Sequence, residues 1–515
     1  MVVVKDENVA LNDVVKVAHG KDVLELHNGH QYVEKIKTNA LFLQEQIKKN
    51  IPVYGTTTGF GDSCREFVGE SFAKTLQQNL IRYHQCGTGE PFSDQQAIAI
   101  MAARLISLAK GHSGIRYELL QNLQQLISKR VIPYIPQQGS VGASGDLTPL
   151  AYIAAVMEGS GRVIENGKVV PAQEVLRNRN ITPMELFPKE GLAIINGTSV
   201  MTGVLALSLY KIRRLCSIAE KLTAICIQVL SGKREAFDKR IHNVKPFRGQ
   251  IYTARRIDND LEGSTFLTDY RQEAAQNLKE NRKQLLPFAI QNVYSLRCAP
   301  QIIGVVRDSL AIAEKWTEIE LNSVTDNPLI FHEEETILLG GNFYGGYIAQ
   351  AADSMKIAVS HLADLADKQM ALLVDEKLSQ MLPANLVRSN SGINHGFKGM
   401  QITVSALTAE VLRNTTAASI FSRVTENNNQ DKVSMGTIAA RDLDHIATLI
   451  AKILAIQSLA AAQAIDIRGQ HGISSNSLDF YRQIRNVSPV LEDDRPMDFE
   501  INAVADFLLA GYEDG

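Results

Sequence analysis

Apolar residues recur three and four positions apart over much of the second two-thirds of the chain. Ile302, Val306, Leu310, Ala313, Trp316 and Ile319 draw one stripe around a helix of 3.6 residues per turn, and 362–373 and 446–465 follow the same period. The last of these, IATLIAKILAIQSLAAAQAI, is apolar on nearly every side. That suits the centre of a large bundle or a subunit interface better than a surface position. Up to about residue 190 the pattern changes, and short helical stretches alternate with Gly- and Pro-rich turns. The one clear strand signal is GRVIENGKVVPA at 161–172, where Asn166-Gly167 separates two short β-prone runs and predicts a hairpin. No fixed-period repeat and no Pro/Gly/Ser linker interrupts the chain. The expected fold is mainly α, with a long central helical bundle over 191–515 and a smaller mixed N-terminal domain over 1–190.

Charge narrows the partners. The 515 residues carry 53 Lys and Arg against 56 Asp and Glu, a formal net charge of -3, so no global field draws the chain to nucleic acid or to an anionic membrane. A small-molecule partner fits better. The stretch 443–465 is broken by Asp444, His445, Lys452 and Gln457 and falls short of the roughly 18–20 apolar residues a membrane helix needs. The opening MVVVKDENVALNDVV lacks the basic lead and apolar core of a signal peptide. Five cysteines, odd in number and never spaced C-x-x-C, argue against a disulfide framework or a zinc site and for a reducing cytoplasm. No His/Asp/Glu group has metal-ligand spacing, and no metal is expected.

The most unusual segment is QQGSVGASGDLTP at 137–149, where Gly139, Gly142 and Gly145 recur every third residue. Neither phosphate-loop glycine pattern is present, and Ser144 is followed directly by Gly145, so the G-x-S-x-G elbow of a hydrolase is absent too. A plain structural turn is one remaining reading. The other is chemical: in a compressed loop the Gly145 nitrogen can attack the Ala143 carbonyl carbon. Loss of water from the ring and from Ser144 then leaves a methylidene-imidazolone, a strong electrophile. Glycine is needed so that its nitrogen can approach, and serine so that a hydroxyl can leave.

Eight motifs extend the pattern over most of the chain: VYGTTTGFGDS (53–63), LQQNLIRYHQCGTG (76–89), GSVGASGDLTPLA (139–151), GLAIINGTSVMTG (191–203), YSLRCAPQ (294–301), NSVTDNP (322–328), GGNFYGG (340–346) and NNQDKVSMG (428–436). Taken together they resemble the histidine, phenylalanine and tyrosine ammonia-lyase family, with the pattern most similar to bacterial tyrosine and phenylalanine enzymes. The resemblance implies a prosthetic methylidene-imidazolone from Ala143-Ser144-Gly145, with an N-terminal domain holding that loop and the base loop. It implies a homotetramer whose sites draw on three chains, the helical domain forming the oligomer core.

By the same resemblance Tyr54 is the general base that removes the β-hydrogen. A phenol starts near pKa 10 and needs help for that task, which backbone donors around Gly55 and Gly61 are placed to give. Arg297 matches the carboxylate-binding arginine, a task suited to a planar fork of donors. Tyr294, Asn196 and Asn327 match residues around the electrophile and carboxylate, and Phe343 packs beside the ring. Isolated residues of these types are more often surface arginines, turn asparagines or packed aromatics.

Substrate choice rests on four positions. Histidine enzymes carry an acid four residues before the Ser of VSM; Gln430 stands there and suits an uncharged aryl ring. Glu426 resembles phenylalanine-lyases. The selectivity pair is Tyr83-His84, which matches no standard family pair, and His84 is placed to hydrogen-bond a phenolic hydroxyl. The expected activity is elimination of ammonia from L-tyrosine or L-phenylalanine to give coumarate or cinnamate. A 2,3-aminomutase, a histidine ammonia-lyase and a non-catalytic helical assembly are the alternatives.

Overall fold

The computed structural model describes residues 1–277, 286, 289–389 and 392–511. About 60% of the chain is helical, with 19 α-helices among the described residues. Contacts group it into two discontinuous units: residues 1–210, 312–353 and 417–444 form the first, and 211–311, 354–416 and 445–515 the second. Every strand among the described residues belongs to the first unit, so it is the mixed one, and the second is helical.

The hairpin forms where Asn-Gly predicts it. Arg162–Glu165 pairs antiparallel with Lys168–Pro171, and Asn166 and Gly167 both take positive φ, 51° and 74°, as the tight turn between right-twisted strands requires. Ile132–Pro133 adds a third strand. Within the first unit, helix Asp94–Leu108 begins with a reciprocal Ser93/Gln96 capping box and is buried from Gln96 onward.

The long helices are Ser199–Val229, Ala299–Leu321, Gly346–Val374 and Gly436–Arg468. In Ala299–Leu321 the buried line is Ile303, Val306, Leu310, Ala313, Thr317 and Leu321, rotated from the expected stripe. Ile319 is 59% exposed, on a line with Val305 and Ile312 at seven-residue spacing. The helix is apolar on two faces, and period alone does not say which one the chain covers. Gly436–Arg468 is long and apolar enough by composition to cross a membrane, yet 83% of that window is buried inside this chain. Its burial therefore needs no second subunit, which removes it as an independent argument for an oligomer.

Candidate active site

The Ala-Ser-Gly loop is held by a buried carboxylate. Asp146 is fully inaccessible and accepts from Ser140 Oγ (3.0 Å), from Thr437 Oγ1, and from the Val200 (3.0 Å) and Met201 (2.9 Å) amides. Those two amides lie in the first turn of Ser199–Val229, where helix N–H groups have no partner in the helix itself. Burial raises the Asp146 pKa to about 6, against the pull of these hydrogen bonds. Beside it, the Asp146 amide donates to the Gly197 carbonyl (2.8 Å), and the Gly197 amide donates to the Ser144 carbonyl (3.1 Å).

That close approach requires glycine. Gly145 has φ 79°, and a Cβ there would collide with the Gly197 carbonyl. Ser144 is itself left-handed at φ 49°, a conformation costing a non-glycine residue about 1–2 kcal/mol. The Gly145 N–H makes no hydrogen bond among the described residues, so its nitrogen is uncommitted. A compressed turn with a free Gly145 amide fits the methylidene-imidazolone expected from Ala143-Ser144-Gly145.

Two cavities meet at Ser144 and share Tyr54, Asn196 and Gln430. One, of about 220 Å³, is walled by Phe60, Leu80, Leu147 and Leu192 and rimmed by Gly61, Tyr83, His84 and Glu426. The other, of about 240 Å³, is polar, with Asn327, Phe343, Tyr344, Asp431 and Lys432 among its lining residues. Leu147 and Leu192 give no isolated sequence signal, since an apolar residue in a helix reads as core. Lys432 stands inside the NNQDKVSMG motif, which was the available cue.

The Tyr54 hydroxyl accepts from the Gly61 amide (2.9 Å). Gly55 donates instead to Thr58 Oγ1 (3.1 Å). Burial raises the Tyr54 pKa above its ordinary value; the Gly61 hydrogen bond opposes this and the Glu426 charge adds to it. The Glu426 carboxylate packs on Gly61 where a Cβ would otherwise sit. Two buried oxygens facing these cavities have no partner among the described residues, Asn196 Oδ1 and Glu426 Oε2. Unpaired buried acceptors are costly in a finished interior and are what a ligand's donors would satisfy.

His84 closes the apolar cavity. Its Nδ1 lies 2.9 Å from the Leu80 carbonyl, which can only accept, so Nδ1 carries the proton. Burial lowers its pKa, with the Leu80 contact acting the other way. The ring is thus neutral at pH 7, and Nε2 presents a lone pair. Gln430 Nε2 reaches 3.5 Å from Ser144 Oγ, and its oxygen accepts from Thr425 Oγ1 (2.7 Å).

Tyr294 and Arg297 line neither cavity. They sit on the short helix Tyr294–Arg297 of the second unit, with the guanidinium 4.5 Å from the Tyr294 ring. Arg297 borders a different cavity, of about 530 Å³, with Lys233, Arg240 and Gln301. No group of three His, Cys, Asp or Glu side chains among the described residues is placed to hold a metal.

Comparison with known proteins gives the family. Residues 9–486 match the family described as "Aromatic amino acid lyase". A histidine ammonia-lyase of Caldanaerobacter subterraneus subsp. tengcongensis is 36% identical over 99% of this chain and 97% of its own length. The MIO-dependent tyrosine 2,3-aminomutase of Streptomyces globisporus is 39% identical over 99% of this chain and 95% of its own. The crystal structure of tyrosine aminomutase from that organism superposes with a TM-score of 0.94 at 38% identity, covering 99% of this chain and 97% of that one. Pantoea agglomerans phenylalanine aminomutase gives a TM-score of 0.94 at 31% identity, covering 99% of each chain. The chain belongs to the aromatic amino acid lyase family, whose matched relatives are ammonia-lyases and aminomutases, and is an enzyme.

Proposed function

We propose that the enzyme acts on L-tyrosine as a 2,3-aminomutase, moving the amino group from the α- to the β-carbon. The observation that carries the substrate is the His84 tautomer: a neutral imidazole with Nδ1–H committed to Leu80 offers Nε2 as an acceptor for a phenolic O–H. Phenylalanine has no donor for that lone pair, and a site built to pair a hydroxyl discriminates strongly against the analogue lacking it. Gln430, an amide where histidine enzymes carry an acid, argues against an imidazole substrate. Similarity to the tyrosine 2,3-aminomutases of Streptomyces globisporus and Myxococcus sp., at 39% and 36% identity, supports the mutase outcome.

The methylidene-imidazolone of Ala143-Ser144-Gly145 supplies an electrophile for the substrate amine, which makes a poor leaving group a better one. Tyr54 removes the β-proton, and the Gly61 amide stabilises the phenolate that this role requires. Because burial holds the Tyr54 proton tightly in the single chain, a cation is needed nearby. Arg297 of a neighbouring copy, in a homotetramer, fills that need and grips the carboxylate. The exposed line Val305, Ile312 and Ile319 supports such an assembly. All five cysteines are free, in keeping with a cytoplasmic enzyme.

Release of coumarate, the lyase outcome, is a second reading, favoured by Tyr83, which is 54% exposed at the cavity rim and leaves a path outward. Assays on L-tyrosine, L-phenylalanine and L-histidine with chromatographic product identification decide among these. We expect the highest kcat/KM on tyrosine with β-tyrosine accumulating. Coumarate alone would establish the lyase reading, and a preference for histidine would overturn the argument from His84 and Gln430.

A further inference from the structure

Helix Glu70–His84 does more than end at the aryl pocket. Gln77, seven residues before His84 and on the same face, is fully inaccessible. Its Nε2 donates to the Gly55 carbonyl (2.8 Å), and its Oε1 accepts from the Leu192 amide (2.9 Å). A carbonyl can only accept and an amide N–H can only donate, so the side-chain orientation is fixed by its partners. Both bonds are buried, so breaking either strands a polar group without water.

The two partners are the ends of the catalytic frame. Gly55 follows Tyr54 in the base loop. Leu192 lies in the first turn of helix Glu190–Ile195, where its amide has no partner within the helix, and that helix ends at Asn196, beside the Ser144 loop. Gly55 is pressed onto the same helix: at its φ of 62° a Cβ would lie 2.6 Å from Leu192 Cδ2. One amide therefore sets the spacing between the residue that takes the proton and the segment carrying Asn196 and facing Ser144.

We infer that Gln77 is a positioning residue for the reaction, holding the Tyr54 loop in register with the electrophile loop. The inference rests on Tyr54 being the base. Misplacement of about 1 Å at a reacting centre can cost about 10²-fold in rate, so its loss falls on kcat and leaves KM nearly unchanged.

Gln77→Glu tests this. At high pH the introduced carboxylate still accepts from Leu192 but repels the Gly55 carbonyl. Once protonated, it donates to Gly55 and restores the pair. We expect kcat relative to wild type to fall about 10²-fold at pH 9 and to recover as pH is lowered, with KM within about threefold of wild type. A pH-independent ratio, or a loss appearing in KM alone, would overturn the inference. Gln77→Met, uncharged and of similar length, makes neither bond; wild-type kcat in it would overturn the inference even if Gln77→Glu does not fold. Tyr54→Phe is measured in parallel. Turnover in that variant removes the base assignment itself, whereas an inactive Tyr54→Phe with unimpaired Gln77 variants removes only the role of Gln77.

Discussion

The floor of the site and its rim are built on opposite terms. On the floor, Asp146 meets four donors, and the Lys189–Asp326 pair (2.6 Å) is wholly buried, with Ser113 also donating to Asp326 (3.0 Å). Fully buried Arg104 reaches the Asn196 carbonyl (2.6 Å), and burial lowers its pKa to about 10. At the rim, Glu426 keeps an unpaired oxygen, Tyr83 is half exposed, and the turn at Glu426, Asn427 and Asn428 is tied to the base loop by an exposed Asn427–Asp62 hydrogen bond. Arg104 Nε and Asn196 Oδ1 apart, the floor spends its hydrogen bonds within the chain, while the rim holds Glu426 Oε2 back for something else. Ring closure in a strained tripeptide demands a mould that does not yield; recognition demands unpaired groups.

The contrast is broken most completely on the floor by Ser144→Ala. Turnover should drop by about 10⁴-fold with an unchanged melting temperature, and intact mass should match the sequence where wild type should be two waters lighter. Asp326→Asn leaves Lys189 buried without its counter-charge and should cost about 3–5 kcal/mol of stability, measured by chemical denaturation. A loss below 1 kcal/mol would mean that the floor is not held by this pair.

Rim substitutions should act on selectivity and leave the melting temperature alone. His84→Leu leaves a tyrosine hydroxyl unpaired, so kcat/KM for tyrosine over phenylalanine should fall by about 1–3 kcal/mol, or roughly 5- to 150-fold. An unchanged ratio would take His84 out of recognition. The same residue predicts a pH effect. Its folded pKa lies below the ordinary value, so KM for tyrosine should be flat from pH 8 to 7. It should rise only as pH falls through that lowered pKa, where protonation removes the Nε2 lone pair. In His84→Leu that rise should vanish. Asn427→Ala, which deletes the exposed tie to Asp62 at a residue of positive φ (49°), should shift KM by no more than about threefold.

These two regions also differ in how far the sequence discloses them. Gly145 and the Asn166-Gly167 turn were legible because a backbone demand leaves glycine no substitute. His84 was legible through its motif, and its tautomer was not, since that depends on a carbonyl one helical turn away. Asp146, Arg104, Lys189 and Gln77 passed unnoticed because a buried polar residue is defined by its partners. Those partners are remote: Lys189 and Asp326 are 137 positions apart. The stripe on Ala299–Leu321 erred for a related reason, because Thr317 is buried while Ile319 is not.

The clamp on Asp146 closes a span of 291 residues to Thr437, and the Met435 amide likewise donates to the Val141 carbonyl. A ribosome adding about 5–20 residues per second takes roughly 15–60 s to cover that distance. Throughout that interval the tripeptide has been synthesised but lacks one of the four donors to Asp146 and the Met435–Val141 tie. The proposed ring closure, where it depends on this clamp, therefore awaits the C-terminal third of the chain.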